Sequence, residues 1–258
     1  MKTAAILISV ISFGSFGSFG VFGCGVDDVE GTEPEAEVTD TAKIAMNGMF
    51  PSDLSTLNIS SAKLTAASAA AQASTVIGRR VLTNIVNCAL PAGESLTVTV
   101  SGVNYTFAGA MGLGPMWKMF PLTVPEKQSV SGCVYARINM NGISLNISLR
   151  GAHGGFSMAT GEASTYYLEE GGFWGNIFNN SGPVKGYACN GVDQLANDTT
   201  GQLPNRECAE DIGGTTPCGF EYAGPCVKVC TWNAAGYYTD CTSTDLTTFA
   251  APATIYVN

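Results

Sequence analysis

PEKQSVSGCVYARINMNGISLNISL, residues 125–149, changes its hydrophobic period halfway along. In the first half Val130, Cys133, Val134 and Ile138 fall on one face at helical spacing, and Pro125 with Glu126 suits a first turn. The spacing predicts a helix that runs to Asn139 and stops at Asn141-Gly142. Ile143, Leu145, Ile147 and Leu149 then alternate with Ser144, Asn146 and Ser148, the period of a half-buried strand. Upstream, residues 74–90 repeat the helical beat. Val81, Leu82, Ile85, Val86, Cys88 and Ala89 interleave with Arg79, Arg80, Thr83, Asn84 and Asn87, and Pro91 and Gly93 end the run. LTVTV at 96–100 and VNYTFA at 103–108, joined by Ser101-Gly102, read as a hairpin. The fold class that follows is α+β: two amphipathic helices packed on short antiparallel strands.

The cysteines set how this body is held. There are nine, at 24, 88, 133, 189, 208, 218, 226, 230 and 241. Cys88 and Cys133 lie on the apolar faces of the two helices, which predicts a bridge between them. Six more, Cys189, Cys208, Cys218, Cys226, Cys230 and Cys241, crowd the last third, where apolar runs are short and Ala253 to Val257 is the clearest strand. Segments of this kind bury too little surface to stand without crosslinks. The expectation is a disulfide-stapled, loop-rich lobe at 182–258 packed on an α+β body at 44–181. A zinc site is the competing reading, but its closest spacing is Cys226-x3-Cys230, there is no CxxC pair, and the single histidine, His153, is remote in sequence. No metal and no cofactor are expected.

Thr3 to Gly25 carries no charge and follows Lys2, the charge order of an export leader. Its second half, FGSFGSFGVFG, has too many glycines for a lasting membrane helix. Val21-Phe22-Gly23-Cys24 resembles the lipobox of bacterial lipoproteins. The resemblance implies removal of residues 1–23, acylation of Cys24 and anchoring by several acyl chains. Gly25 stands where inner-membrane lipoproteins have aspartate, so the implied address is the outer membrane. An ordinary secretory leader, with the protein released outside the cell, is the alternative.

Seven carboxylates follow between Asp27 and Asp40, with almost nothing apolar between them, and residues 24–43 therefore read as a solvated tether. Outside the leader and those seven acids, fourteen acids face eleven bases, although the whole chain carries −9. The body has no basic stripe for a phosphate backbone, and nucleic acid is not an expected partner. Residues 44–74 are rich in Ser, Ala and Thr, and their weak apolar beat does not decide between an ordered wrap and a mobile segment.

VLTNIVNCALPAG (81–93), YTFAGAMGLGPMW (105–117), SGCVYARINMNGISLNISLRG (131–151) and EGGFWGNIF (170–178), with the cysteine-rich end, carry a wider resemblance. Over most of residues 44–258 the chain is similar to uncharacterised predicted secreted proteins and lipoproteins of myxobacteria. An Asn-Gly-Leu-Ser repeat common there is reduced here to one copy at Asn47 to Met49. The resemblance implies an exported, disulfide-rich protein and supplies no active site.

Catalytic motifs are missing from the sequence: no GxSxG, no HExxH, no phosphate-binding glycine loop. His153, between Ala152 and Gly154, reads as a loop residue, with Ser157 as the nearest partner for a nucleophilic set. Glu169, Glu170 and Trp174 suggest a sugar site, but adjacent carboxylates rarely straddle a glycosidic bond, and Phe173, Trp174, Ile177 and Phe178 read more simply as core. These four residues, His153, Glu169, Glu170 and Trp174, are the candidate ligand surface, with no catalytic residue assigned. The expected role is a surface-exposed cell-envelope lipoprotein that binds an envelope or extracellular ligand or serves a structural purpose. The alternative is a secreted hydrolase using His153 or the Glu169/Glu170 region.

Overall fold

The computed structural model describes residues 43–47, as backbone, and 49–55, 59–139, 145–178, 184–194 and 208–258. The leader, Cys24, the acidic residues 27–40 and the expected helix stop at Asn141-Gly142 lie outside the described residues. Chain order is β1 (Lys43–Asn47), α1 (Pro51–Ser55), α2 (Ala66–Ala73), α3 (Val76–Ala89), β2 (Ser95–Val100), β3 (Val103–Ala108), α4 (Val124–Ala136), β4 (Ile138–Asn139) and β5 (Leu145–Arg150). Then come α5 (Glu162–Thr165), β6 (Leu168–Gly175), β7 (Gly186–Asn190), β8 (Glu221–Pro225), α6 (Cys226–Val229), β9 (Thr231–Asn233), β10 (Tyr237–Thr239), β11 (Cys241–Thr242), β12 (Thr248–Phe249) and β13 (Ala253–Val257).

Both predicted helices form, and their ends have local causes. The Thr75 side chain accepts the Gly78 N–H (3.0 Å) at the start of α3, whose buried side carries Val81, Leu82, Ile85, Val86 and Cys88. Thr123 and Glu126 cap α4 reciprocally: the Thr123 N–H donates to Glu126 Oε2 (2.8 Å) and the Glu126 N–H to Thr123 Oγ1 (3.4 Å). Helix α4 ends at Ala136, three residues before the expected Asn139, because Ile138 and Asn139 pair in parallel with β1. It is also buried on every side from Ser129 to Ala136, not along one stripe. Its Gly132 explains how closely it lies on the sheet, since a Cβ there would sit 3.0 Å from the Ala253 nitrogen and 3.2 Å from the Phe173 oxygen. Residues 59–74, undecided from sequence, are ordered, and α2 starts at a Thr65/Ser68 capping box and packs on α3 and β2.

The hairpin of β2 and β3 turns at Ser101 and Gly102, both at positive φ, the backbone required by a two-residue turn. The main sheet has seven strands in the order β4-β1-β5-β13-β6-β7-β8. Neighbours are antiparallel except β1 with β4 and β7 with β8. The cysteine-rich part therefore does more than pack on the body. It supplies three strands of this sheet, and β13 lies between β5 and β6.

Alternation along the strands sorts two cores. Ile147, Leu149, Phe173, Ala188, Ala253, Ile255 and Val257 join the apolar residues of α3 and α4. Trp174, Tyr187 and Cys189 face the other way, into a cluster with Cys226, Tyr238 and Cys241 from the stapled loops. The architecture is thus helices, sheet, and a cover made of α6 with the β9/β10 and β11/β12 hairpins.

Four disulfides hold it: Cys88–Cys133, Cys189–Cys226, Cys208–Cys218 and Cys230–Cys241. The first joins α3 to α4 with Cα atoms 6.1 Å apart, as the apolar-face positions of the two cysteines predicted. Cys189–Cys226 ties the cover to β7 and Cys230–Cys241 closes a short loop within it, while Cys208–Cys218 is buried with the helix-side core. Such crosslinks fit a chain that folds in an oxidising compartment. No helix among the described residues is long and apolar enough to cross a membrane.

Candidate functional site

Beside the Trp174 cluster, the sheet face under the cover also carries polar groups. On β5, Ser148 and Arg150 point to this side, and on β13, Thr254 and Tyr256 do so, paired across the strands as Arg150 with Thr254 and Ser148 with Tyr256. An irregularity in the β13/β6 register sets Tyr256 opposite Glu169 and Ile255 opposite Gly171, so Glu170 is the extra residue of a bulge. The bulge brings Glu169 to the same face as Gly172 and Trp174. Without it, Glu170 would have faced the cover.

Arg150 is 7% exposed. Its guanidinium stacks on the Tyr256 ring, 3.5 Å from the centroid. Nε donates to Ser148 Oγ (3.1 Å) and Nη2 to the Tyr166 carbonyl (2.6 Å). Among the described residues no hydrogen bond uses Nη1, and no carboxylate lies at ion-pair distance. Burial lowers the Arg150 pKa, while Tyr256, Glu162 and Glu169 pull it back up. Glu169 lies beyond the Tyr256 ring. Its Oε1 accepts the Tyr238 hydroxyl (2.6 Å) and the Val192 N–H (3.3 Å), and its Oε2 the Tyr256 hydroxyl (3.3 Å). Burial raises the Glu169 pKa against the opposing pull of Tyr238, Val192 and Tyr256. Both phenols are pushed up, first by burial and then by Glu169, and stay protonated donors. Tyr238 is fixed a second time, its N–H donating to Thr254 Oγ1 (2.8 Å).

This layer opens to solvent at one end. A cavity of about 260 Å³ is lined by Arg150, His153, Phe156, Ser157, Met158 and Tyr237, with Ala235 at its edge. The loop after β5 makes one wall and the turn between β9 and β10 the other. His153 caps the 3₁₀ turn Gly154–Phe156, where Nδ1 accepts the Gly155 N–H (3.1 Å). That bond leaves Nε2 to carry the proton of the neutral ring. A Cβ built on Gly236 would lie 3.5 Å from Arg150 Nη1, which locates that unused donor beneath the 235–237 turn, at the cavity.

The residues singled out from sequence separate. His153 is half-exposed at the cavity wall. Glu169 is interior, under the cover. Glu170 is on the opposite side, where it accepts the Cys208 N–H (3.0 Å). Trp174 is fully buried and stacked on Tyr187 at 6.2 Å. Glu169, Glu170 and Trp174 therefore form no ligand surface, and the two carboxylates cannot flank one sugar. Phe173, Trp174, Ile177 and Phe178 are all buried, as a core reading of that stretch requires. His153 shares the cavity with Ser157, but no carboxylate of the described residues lines it to complete a hydrolytic set. Among the described residues no cluster of His, Cys, Asp and Glu is placed to hold a metal ion.

Sequence reading passed over Arg150, Tyr238, Thr254 and Tyr256. The signal was present in part: Arg150 continues the Ser144, Asn146, Ser148 side of its strand, a side taken to face water. Comparison of the chain with protein-family models, with curated proteins and with solved structures found no match.

Proposed function

We propose that this chain is an exported envelope lipoprotein, allied to the myxobacterial secreted proteins it resembles, that binds a ligand in the Arg150 cavity. One observation carries the binding role: a buried arginine, braced from below by Tyr256 and from the side by Tyr166, presents at the wall of an open cavity an Nη1 group that no hydrogen bond among the described residues uses. Proteins rarely bury a charge without a partner, and a bound anionic or polar group is the partner that an open cavity admits. The four disulfides support the exported address. The leader and the lipobox-like Val21 to Cys24 support the anchor, with the acidic tether holding the folded part off the membrane surface.

The anchor is tested by fractionating cells that express the wild type and Cys24→Ser. The wild type goes with the outer membrane and its N-terminal peptide carries acyl mass, whereas Cys24→Ser moves to the soluble fraction with an unchanged melting curve. A wild type without lipid, found in the medium, replaces the anchored protein by a secreted one. The hydrolase reading has its own sign. A histidine base contributes a factor of about 100 to 10,000 in rate, so an esterase, peptidase or glycosidase activity that fell by that factor in His153→Ala would put the enzyme first.

A further inference from the structure

We infer that the cavity takes a small organic monocarboxylate, held by Arg150 Nη1 with its apolar body against Phe156 and Met158. The inference rests on the reading of this cavity as the ligand site and adds the class of ligand.

The charge of the site is a single positive one. Arg150 is the one arginine or lysine among the lining residues, and no carboxylate of the described residues lines the cavity to oppose it. A guanidinium with all its donors available grips a carboxylate or phosphate by two parallel bonds. Here Nε donates to Ser148 and one Nη2 N–H to Tyr166, so the Nε side of the fork is occupied and the two N–H groups of Nη1 face the cavity for an acceptor. A phosphate dianion brings two charges to a wall with one guanidinium, and the desolvation of its second charge would go largely uncompensated. A carboxylate brings one charge. Its second oxygen is within the chemistry of a wall that also holds Ser157, Tyr237 and His153.

The rest of the wall is apolar, in Gly151, Ala152, Phe156 and Met158. A volume of about 260 Å³ lies at the small end of ligand sites, enough for a body of a few carbons and too small for an oligosaccharide. The site is also pre-formed. Arg150 sits at the end of an interior strand, stacked on Tyr256, so binding orders no long side chain.

The single histidine makes the test site-specific, because its imidazole resonances report on this cavity alone. Purified protein is titrated with hexanoate, with the neutral hexanamide, and with inorganic phosphate, while the His153 resonances are followed. Hexanoate is expected to shift them saturably and hexanamide to bind at least tenfold more weakly. Arg150→Met keeps the stacking volume on Tyr256 without the charge and is expected to lose hexanoate binding by at least tenfold. Ala235→Trp, at an exposed edge position, plugs the mouth without touching the polar layer and loses binding too, which keeps the test decisive if Arg150→Met unfolds. Equal binding of acid and amide overturns the carboxylate and leaves the cavity as a site for a neutral ligand. Response to phosphate alone overturns it in favour of another anion. No response to any of the three overturns both the carboxylate and the cavity reading.

Discussion

Replacing Cys88 and Cys133 together by alanine lowers the unfolding free energy by about 4 kcal/mol, the largest single loss expected in this protein. The bridge spans 45 residues, and in the chain-entropy model a loop of that length restricts the unfolded chain by about that amount. The native side adds to it. Both cysteines are wholly buried, one on α3 and one on α4, in the contact that seats the helices on the sheet. Truncating them leaves a gap beside Met111, whose sulfur lies 3.3 Å from Cys133 Sγ. Urea unfolding checks this, and two signatures are expected together: a lower midpoint, and a steeper dependence on urea because the uncrosslinked chain expands further when it unfolds. A loss below 1 kcal/mol, or an unchanged slope, means that the bridge does not restrain the unfolded chain as described.

That bridge was readable because its determinants are local. Each cysteine belongs to a helix whose apolar beat and cap lie within a few residues, and Thr75, Thr123 and Glu126 mark starts that need no tertiary information. The end of α4 was not readable in the same way. Ile138 continues the helical beat, and what removes it from the helix is pairing with β1, more than ninety residues away. Helix α2 escaped for another reason: AASAAAQA has no large apolar residues to mark a face, although alanine favours the helix throughout.

The site was hidden by a more general ambiguity. Alternation in a strand tells which residues share a side, and it does not tell what covers that side. ISLNISLR divides correctly into Ile and Leu against Ser, Asn and Arg. The polar half was assigned to water, yet Ser148 and Arg150 are buried because β13, from the far end of the chain, docks beside β5 and brings the stapled hairpins over them. Tyr256, within the clear strand Ala253 to Val257, is the ring on which Arg150 rests. The position of Glu169 depends on a bulge, and a one-residue offset is invisible to any reading of period two.

Glu169→Ala removes the acceptor at the centre of this layer and is expected to cost about 3 kcal/mol, since it strands several buried donors at once. The Tyr238 and Tyr256 hydroxyls and the Val192 N–H all lose their partner, while Arg150, beyond the Tyr256 ring, loses one of the two carboxylates, with Glu162, that favour its charge. Glu169→Gln is milder, because its carbonyl still accepts from Tyr238 and its volume is unchanged, but its amide cannot accept from Tyr256. The glutamine variant carries the pH test. Burial raises the folded-state pKa of Glu169 above its ordinary 4.5, with Asp193 pushing the same way. The folded protein therefore holds the Glu169 proton more tightly than the unfolded chain does. The stabilisation is complete below about 4.5 and is lost as pH rises through the raised value. Other carboxylates titrate alike in both proteins, so the wild-type advantage over Glu169→Gln isolates this group. Urea unfolding at pH 4, 5.5 and 7 is expected to show that advantage largest at pH 4 and smallest at pH 7. An advantage that grew with pH would mean that the folded protein prefers the charged carboxylate, with Arg150 and the two phenols outweighing burial.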